Sequence, residues 1–220
     1  MRKSLLFLLV ISSLKIIGQS ESYKIGILKY NGGGDWYSNP TAITNLIVFS
    51  NEKLGTNIDQ NYDEIEIASP ELFNYPWVHL TGHGNVVFSN EEVLNLKNYL
   101  FAGGFLHISD NYGLDPFIRK EMKKIFPNLD FIEIPYDHPI YHSAFDFPNG
   151  LPKIHEHDNK EPIGLGIFKE GRLICFYDHE CDLGDGWEDQ DVHNDSDETR
   201  LKALKMGANI LSYALLGKED

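Results

Sequence analysis

A chain of 220 residues, 42% hydrophobic and 12% aromatic, is long and apolar enough to bury the core of one large α/β domain, which excludes a disordered tail or a fibrous repeat. Nineteen basic against thirty-three acidic residues give a net charge of −14. That balance repels phosphate backbones and anionic membrane surfaces, so neither nucleic acid nor a membrane is expected as a partner.

In chain order the first feature is a leader. Arg2 and Lys3 precede the apolar run Leu5 to Ile11, and Gly18 and Ser20 supply a small-x-small exit, the pattern of a secretory signal peptide over residues 1–20. The run is broken by Ser12, Ser13 and Lys15, too short for a spanning helix of roughly twenty apolar residues. The expectation is an exported bacterial protein, periplasmic or secreted, soluble after cleavage and folded as a single domain over residues 21–220.

The chain then alternates apolar runs with helical patterns, the rhythm of βα units in a parallel sheet. Tyr23 to Lys29 reads as the first strand. Asn39 as cap and Pro40 at the first helical position open a helix with Ile43, Leu46, Ile47 and Leu54 on its apolar face. Glu64 to Ala68 and Trp77 to Leu80 read as strands. Ser89 with Glu92 forms a capping box for a helix through Val93, Leu96 and Leu100, stopped by Gly103 and Gly104. Phe105 to Ile108 is a short buried strand, Asp115 and Pro116 open a helix that ends before Pro127, and Leu129 to Ile134 reads as another strand. Ile163 to Phe168 and Arg172 to Tyr177 flank the hairpin signal Glu170-Gly171, and a last helix carries Leu201, Leu204, Ala208, Leu211 and Leu215.

In such a sheet ligands gather at the carboxyl ends of the strands, so the turns after them are the candidate site. After the first strand, Gly32, Gly33 and Gly34 let the backbone approach a ligand, while Asp35 offers an acceptor and Trp36 a stacking face. Their spacing matches neither a phosphate loop nor a Rossmann turn. His83 stands between Gly82 and Gly84, whereas His79 and His107 fall inside strands and read as core. Ser109, Asp110 and Asn111 follow the Phe105 strand without the Gly-x-Ser-x-Gly context of a serine hydrolase.

His138 and His142, four apart, can share one face toward a metal ion, although no zincin glutamate lies between them. His155 and His157 sit among polar residues and read as a solvated loop. The acidic stretch Tyr177 to Asp189, with Glu180, Asp185 and Trp187, reads as a shaped loop able to take calcium outside the cytoplasm, without the EF-hand pattern. Two cysteines, Cys175 and Cys181, are too few for a disulfide scaffold. They could form one short bridge, though Cys175 reads as a buried thiol.

Four segments then carry a resemblance: Gly34-Asp35-Trp36-Tyr37, Gly103-Gly104-Phe105-Leu106, His138-Pro139-Ile140-Tyr141 and Asp182 to Asp189. In order and spacing, from about Tyr23 to Leu216, the chain resembles domain-of-unknown-function family 4159. The resemblance implies a flavodoxin-like three-layer sandwich with a mostly parallel central sheet, similar to class I glutamine amidotransferases, and it supplies no established reaction. Glutaminase chemistry needs a cysteine at the strand-to-helix elbow, where this chain has Ser109 and Asp110, so that activity is not expected.

The leading expectation is therefore binding of a small polar ligand, such as a sugar, a peptide fragment or a metal-bound anion, by Asp35, Trp36, His83, Asp110, Asn111, His138, Glu180, Asp185 and Trp187. One alternative is a metal-assisted hydrolase built from His83, His138 or His142 with Asp110 or Glu180. The other is an interaction module whose acidic loop docks a basic protein surface.

Overall fold

The computed structural model describes residues 22–216, and the leader expected over residues 1–20 lies outside them. The apolar runs become seven strands: β1 (Ile25–Lys29), β2 (Asp63–Glu66), β3 (Trp77–Gly82), β4 (Phe105–Asp110), β5 (Ile132–Glu133), β6 (Ile163–Lys169) and β7 (Arg172–His179). They form one sheet in the order β2-β1-β3-β4-β7-β6-β5. The first five in that order run parallel, and β6 turns back antiparallel against both β7 and β5.

The six helices are α1 (Ala42–Leu54), α2 (Asn90–Phe101), α3 (Asp115–Ile125), α4 (Leu183–Trp187), α5 (Gln190–His193) and α6 (Asp197–Leu216). Because alternate residues of a strand face opposite ways, the sheet feeds two cores. Leu28, Val78, Leu80, Leu106 and Ile108 pack against Leu96, Leu100, Ile118 and Met122 of α2 and α3. Ile25, Ile27, Trp77 and Phe105 pack against Ile43, Leu46, Trp187, Ala203 and Ile210 of α1, α4 and α6. The result is an α/β sandwich with a mixed, mostly parallel sheet between helical layers. Among the described residues no helix is long and apolar enough to cross a membrane.

Local chemistry explains most boundaries. Ser89 and Glu92 make both bonds of the capping box that starts α2. Beyond its end Gly103 takes φ of 118°, a conformation that favours glycine. Glu170 and Gly171 have φ of 53° and 84°, the left-handed pair of a tight two-residue hairpin.

The structure corrects three expectations. Asn39 does not cap α1: the cap position is Thr41, without a side-chain bond, while Asn39 sits in the left-handed region at φ 61° and turns its amide elsewhere. The strand expected over Leu129 to Ile134 shrinks to the exposed pair of β5, an edge with one partner. The acidic stretch after β7 is built of α4 and α5, not a loop throughout.

Candidate functional site

The parallel strands end at one edge, and their turns meet there. Asp35, from the turn after β1, accepts the His83 backbone N–H at 2.5 Å and pairs with His83 Nδ1 at 2.9 Å. Burial pushes the Asp35 carboxyl up, but the bonds from His83 outweigh it and hold the group below its usual range. The turn that presents His83 needs a glycine. At φ 138° Gly82 passes so close to Tyr30 that an added Cβ would lie 2.2 Å from its hydroxyl, which itself donates to the Thr81 carbonyl at 3.0 Å. Trp36 is half-buried across the end of the sheet, with the Lys29 ammonium 5.3 Å from its ring centroid.

Beside this pair lies a buried amide network. Asn111, just after β4, accepts from the Thr81 hydroxyl at 3.2 Å and exchanges hydrogen bonds with Asn39 at 3.0 and 3.4 Å. Asn39 also donates to Asp185 of α4 at 2.7 Å. Gly184 lets α4 come this close, since an added Cβ would sit 2.8 Å from the Asn39 amide nitrogen. The turns after β1 and β4, the end of β3 and α4 are thereby tied to one another.

On the other flank, Asp110 holds the start of α3 by accepting the Leu114 N–H at 3.0 Å and the Tyr177 hydroxyl at 3.0 Å. Glu180 accepts from Lys160 at 3.1 Å and lies 4.0 Å from Lys153. His157 meets Asp182 at 2.7 Å and stacks under Tyr112, with ring centroids 4.6 Å apart. Burial and the Asp185 charge push the Asp182 carboxyl up to about 7, against the opposing His157. Backbone strain concentrates on this rim: Tyr112, Glu180, Asp182 and Asn194 all have φ between 57° and 68°. Such conformations persist only where surrounding contacts enforce them.

The expectation that His155 lies in a solvated loop is overturned. His155 Nδ1 lies 3.1 Å from Asp185 Oδ2, and its Nε2 lies 3.2 Å from both oxygens of Asp195. His193, at the end of α5, lies 3.1 Å from Glu188 and 4.0 Å from Asp185. The hydrogen bond with Asp185, more than any other partner, pushes the His155 imidazole up to about 9. Burial raises the Asp185 carboxyl, yet His155, the His193 charge and Asn39 together hold it below its usual value.

Two of the residues read from the sequence sit apart from this edge. His138 caps a short turn and packs against Phe168 and Tyr213, at the opposite end of the sheet, where Tyr213 also meets Phe105 at the start of β4. Trp187 is fully buried: its indole N–H donates to the Ala203 carbonyl at 2.8 Å and its ring lies against His79 and His107. Of the histidines considered for a hydrolase, His142 pairs with Asp146 at 2.5 Å and the Tyr136 carbonyl at 2.8 Å, and His83 pairs with Asp35.

Beneath the edge, His79 and His107 face each other at 3.0 Å, and His107 reaches Asp178 at 3.0 Å. All three are buried, and for the two histidines this matches their reading as core residues inside strands. Both cysteines are buried free thiols, which burial holds well above their ordinary value. A concavity of about 470 Å³ is lined by residues 145–153 with Lys202 and Lys205.

A family model described as "Domain of unknown function (DUF4159)" matches residues 24–215. Comparison with curated proteins gives no match.

Proposed function

The chain belongs to the family described as Domain of unknown function (DUF4159), and from the geometry of its sheet edge we propose an exported, amidotransferase-like α/β domain that binds a small polar ligand there, without glutaminase activity. The observation that carries this reading is the hydrogen-bonded convergence of Asn39, Thr81, Asn111 and Asp185 from the turn after β1, the end of β3, the turn after β4 and α4, with the Asp35 and His83 pair beside them open to water. Crevices at the carboxyl edge are where open α/β sheets bind ligands. The strand order β2-β1-β3-β4, continued by β7, supports the flavodoxin-like assignment, whose order is 2-1-3-4-5.

The elbow after β4 offers amides, a carboxylate and Tyr112 but no thiol, and Cys175 and Cys181 are fully buried. A nucleophilic cysteine needs an accessible thiolate, so hydrolysis of glutamine has no agent here. Asp35 supplies an acceptor and His83 a ring nitrogen free to meet a hydroxyl or amide, which suits a sugar or a peptide fragment. The reading takes residues 1–20 as a leader that exports the domain to the periplasm or beyond, with neither nucleic acid nor the membrane as its partner.

The test is a thermal-shift screen of sugars and short peptides on the chain without residues 1–20. A ligand that raises Tm for the wild type is expected to lose its effect with Asp35→Ala and with His83→Ala, both of which leave the fold intact. Retention of the full shift by both variants places the ligand elsewhere.

A further inference from the structure

The His155 cluster shares Asp185 with the network above but has a different chemistry. Three carboxylates and two imidazoles converge: Asp185 and Glu188 from α4 and its end, His193 from the end of α5, His155 from the segment before β6, and Asp195. Among the described residues no lysine or arginine side chain bonds any of the three carboxylates, whose exposures are 12%, 4% and 14%. One ligand atom each from His155, Asp185 and His193 can be chosen so that all lie within 4.8 Å of one another.

The distances fit one ion. Bonds of roughly 2.0–2.2 Å in a tetrahedral zinc site place ligand atoms about 3.4 Å apart. Here His155 Nδ1 and Asp185 Oδ2 are 3.1 Å apart, and Asp185 Oδ2 and His193 Nε2 4.0 Å. Two of the three groups also have an outer partner aimed to orient them. The far nitrogen of His155 faces Asp195 at 3.2 Å, and Asn39 donates to Asp185 Oδ1 at 2.7 Å. A ligating histidine backed by a carboxylate is the usual outer shell of a metal centre, fixing the tautomer and the ring plane.

We infer that His155, Asp185 and His193 form a binding site for a divalent transition ion of the zinc type. Imidazole nitrogens select such an ion over calcium or magnesium, which prefer oxygen alone. The site opens to solvent through His193, 29% exposed, and His155, 21% exposed, which gives the ion a way in.

The experiment strips the chain with EDTA and titrates it with Zn²⁺, Co²⁺ and Ca²⁺ by calorimetry. One equivalent of Zn²⁺ or Co²⁺ is expected, with Ca²⁺ at least tenfold weaker. His193→Gln and His155→Gln should abolish that uptake. Asp195→Asn, which only orients His155, should weaken it about 10–100-fold, and His142→Gln, at the exposed Asp146 pair, should leave it unchanged. Circular dichroism checks each fold. In the wild type Co²⁺ should shift the ring resonances of two histidines, a readout that holds even if a variant unfolds. No uptake by the wild type, uptake undiminished in both His155→Gln and His193→Gln, calcium binding as tight as zinc, or no shifted histidine resonance would each overturn the assignment.

Discussion

Asn39 donates to Asp185 across 146 positions of chain, at 2.7 Å, from a backbone held at φ 61°. The bond ties the turn after β1 to α4, so one amide links the start of the fold to its last third. It also joins the amide network under the proposed ligand to the cluster proposed to hold an ion.

Asn39→Ala is expected to be the more damaging of two substitutions there. Both Asn39→Ala and Asn39→Gly strip a donor from Asp185 and from Asn111, at about 1–3 kcal/mol for buried groups left unpaired. Alanine adds the cost of a Cβ in the left-handed region, about 1–2 kcal/mol, which glycine avoids. Urea denaturation of the two variants checks the order, and a glycine variant no more stable than the alanine one would contradict it.

Trp187 is expected to govern stability and not recognition. Its indole fills the space between α6 and the buried histidines, and Trp187→Ala should cost about 3–5 kcal/mol in urea unfolding. Asp35→Ala, with the carboxylate partly exposed, should stay within about 1 kcal/mol of the wild type. Equal losses in the two variants would mean that Asp35 is part of the scaffold.

Two buried histidines should each work against the fold as pH drops below about 6.5. Burial holds His107 down to about 3, and burial with the His107 charge holds His79 well below its ordinary 6.5. Both are depressed, so their contribution is present above the unfolded value and is lost as the unfolded chain takes up two protons that the fold refuses. Asp178 opposes this by one proton, because burial raises it well above 3.8 and the fold keeps a proton that the unfolded chain releases. Asp182, pushed up to about 7, opposes it by a second proton, so these four groups nearly cancel between roughly pH 6 and pH 4. His79→Phe removes one refused proton, so its stability relative to the wild type should rise by about 1.4 kcal/mol for each unit that pH falls across that range, which urea midpoints of the two proteins measure.

Neither thiol should react in the native state. Cys175 lies inside β7, and Cys181 points its sulfur at the Pro152 carbonyl, 2.7 Å away. Titration with a thiol reagent is expected to detect neither cysteine before denaturation and both after it, with no disulfide. Prompt labelling of either in the folded chain would show that the edge opens.

What the sequence reveals of this molecule is mostly what is local. The strands announce themselves as apolar runs, α2 by Ser89 and Glu92, and the hairpin by Glu170 and Gly171, because each signal lies within a few residues of the structure it makes. Asn39 misleads for the same reason: Asn-Pro has the local look of a helix start, and nothing nearby discloses Asp185. His155 and His193 hide in polar segments whose composition matches a solvated face, and only the packing of α4 and α5 against the segment before β6 brings them together. Asp35 and His83 were recognisable as turn residues because the parallel rhythm predicts which end of each strand matters. His138 was not placeable, since a motif of spacing alone does not say at which end of the sheet it sits.

The place of β7 in the sheet has a consequence for how the chain is made. Synthesis delivers β1 to β4 first, but β4 has its second neighbour only when β7 arrives, and Tyr177 lies 67 positions after its partner Asp110. Until then the nascent sheet presents an unpaired apolar strand, the kind of edge that recruits other chains. A ribosome stalled before Arg172 is therefore expected to hold a chaperone client, not a smaller soluble domain. Fragments ending there should collect in the insoluble fraction, while chains that reach α6 escape it.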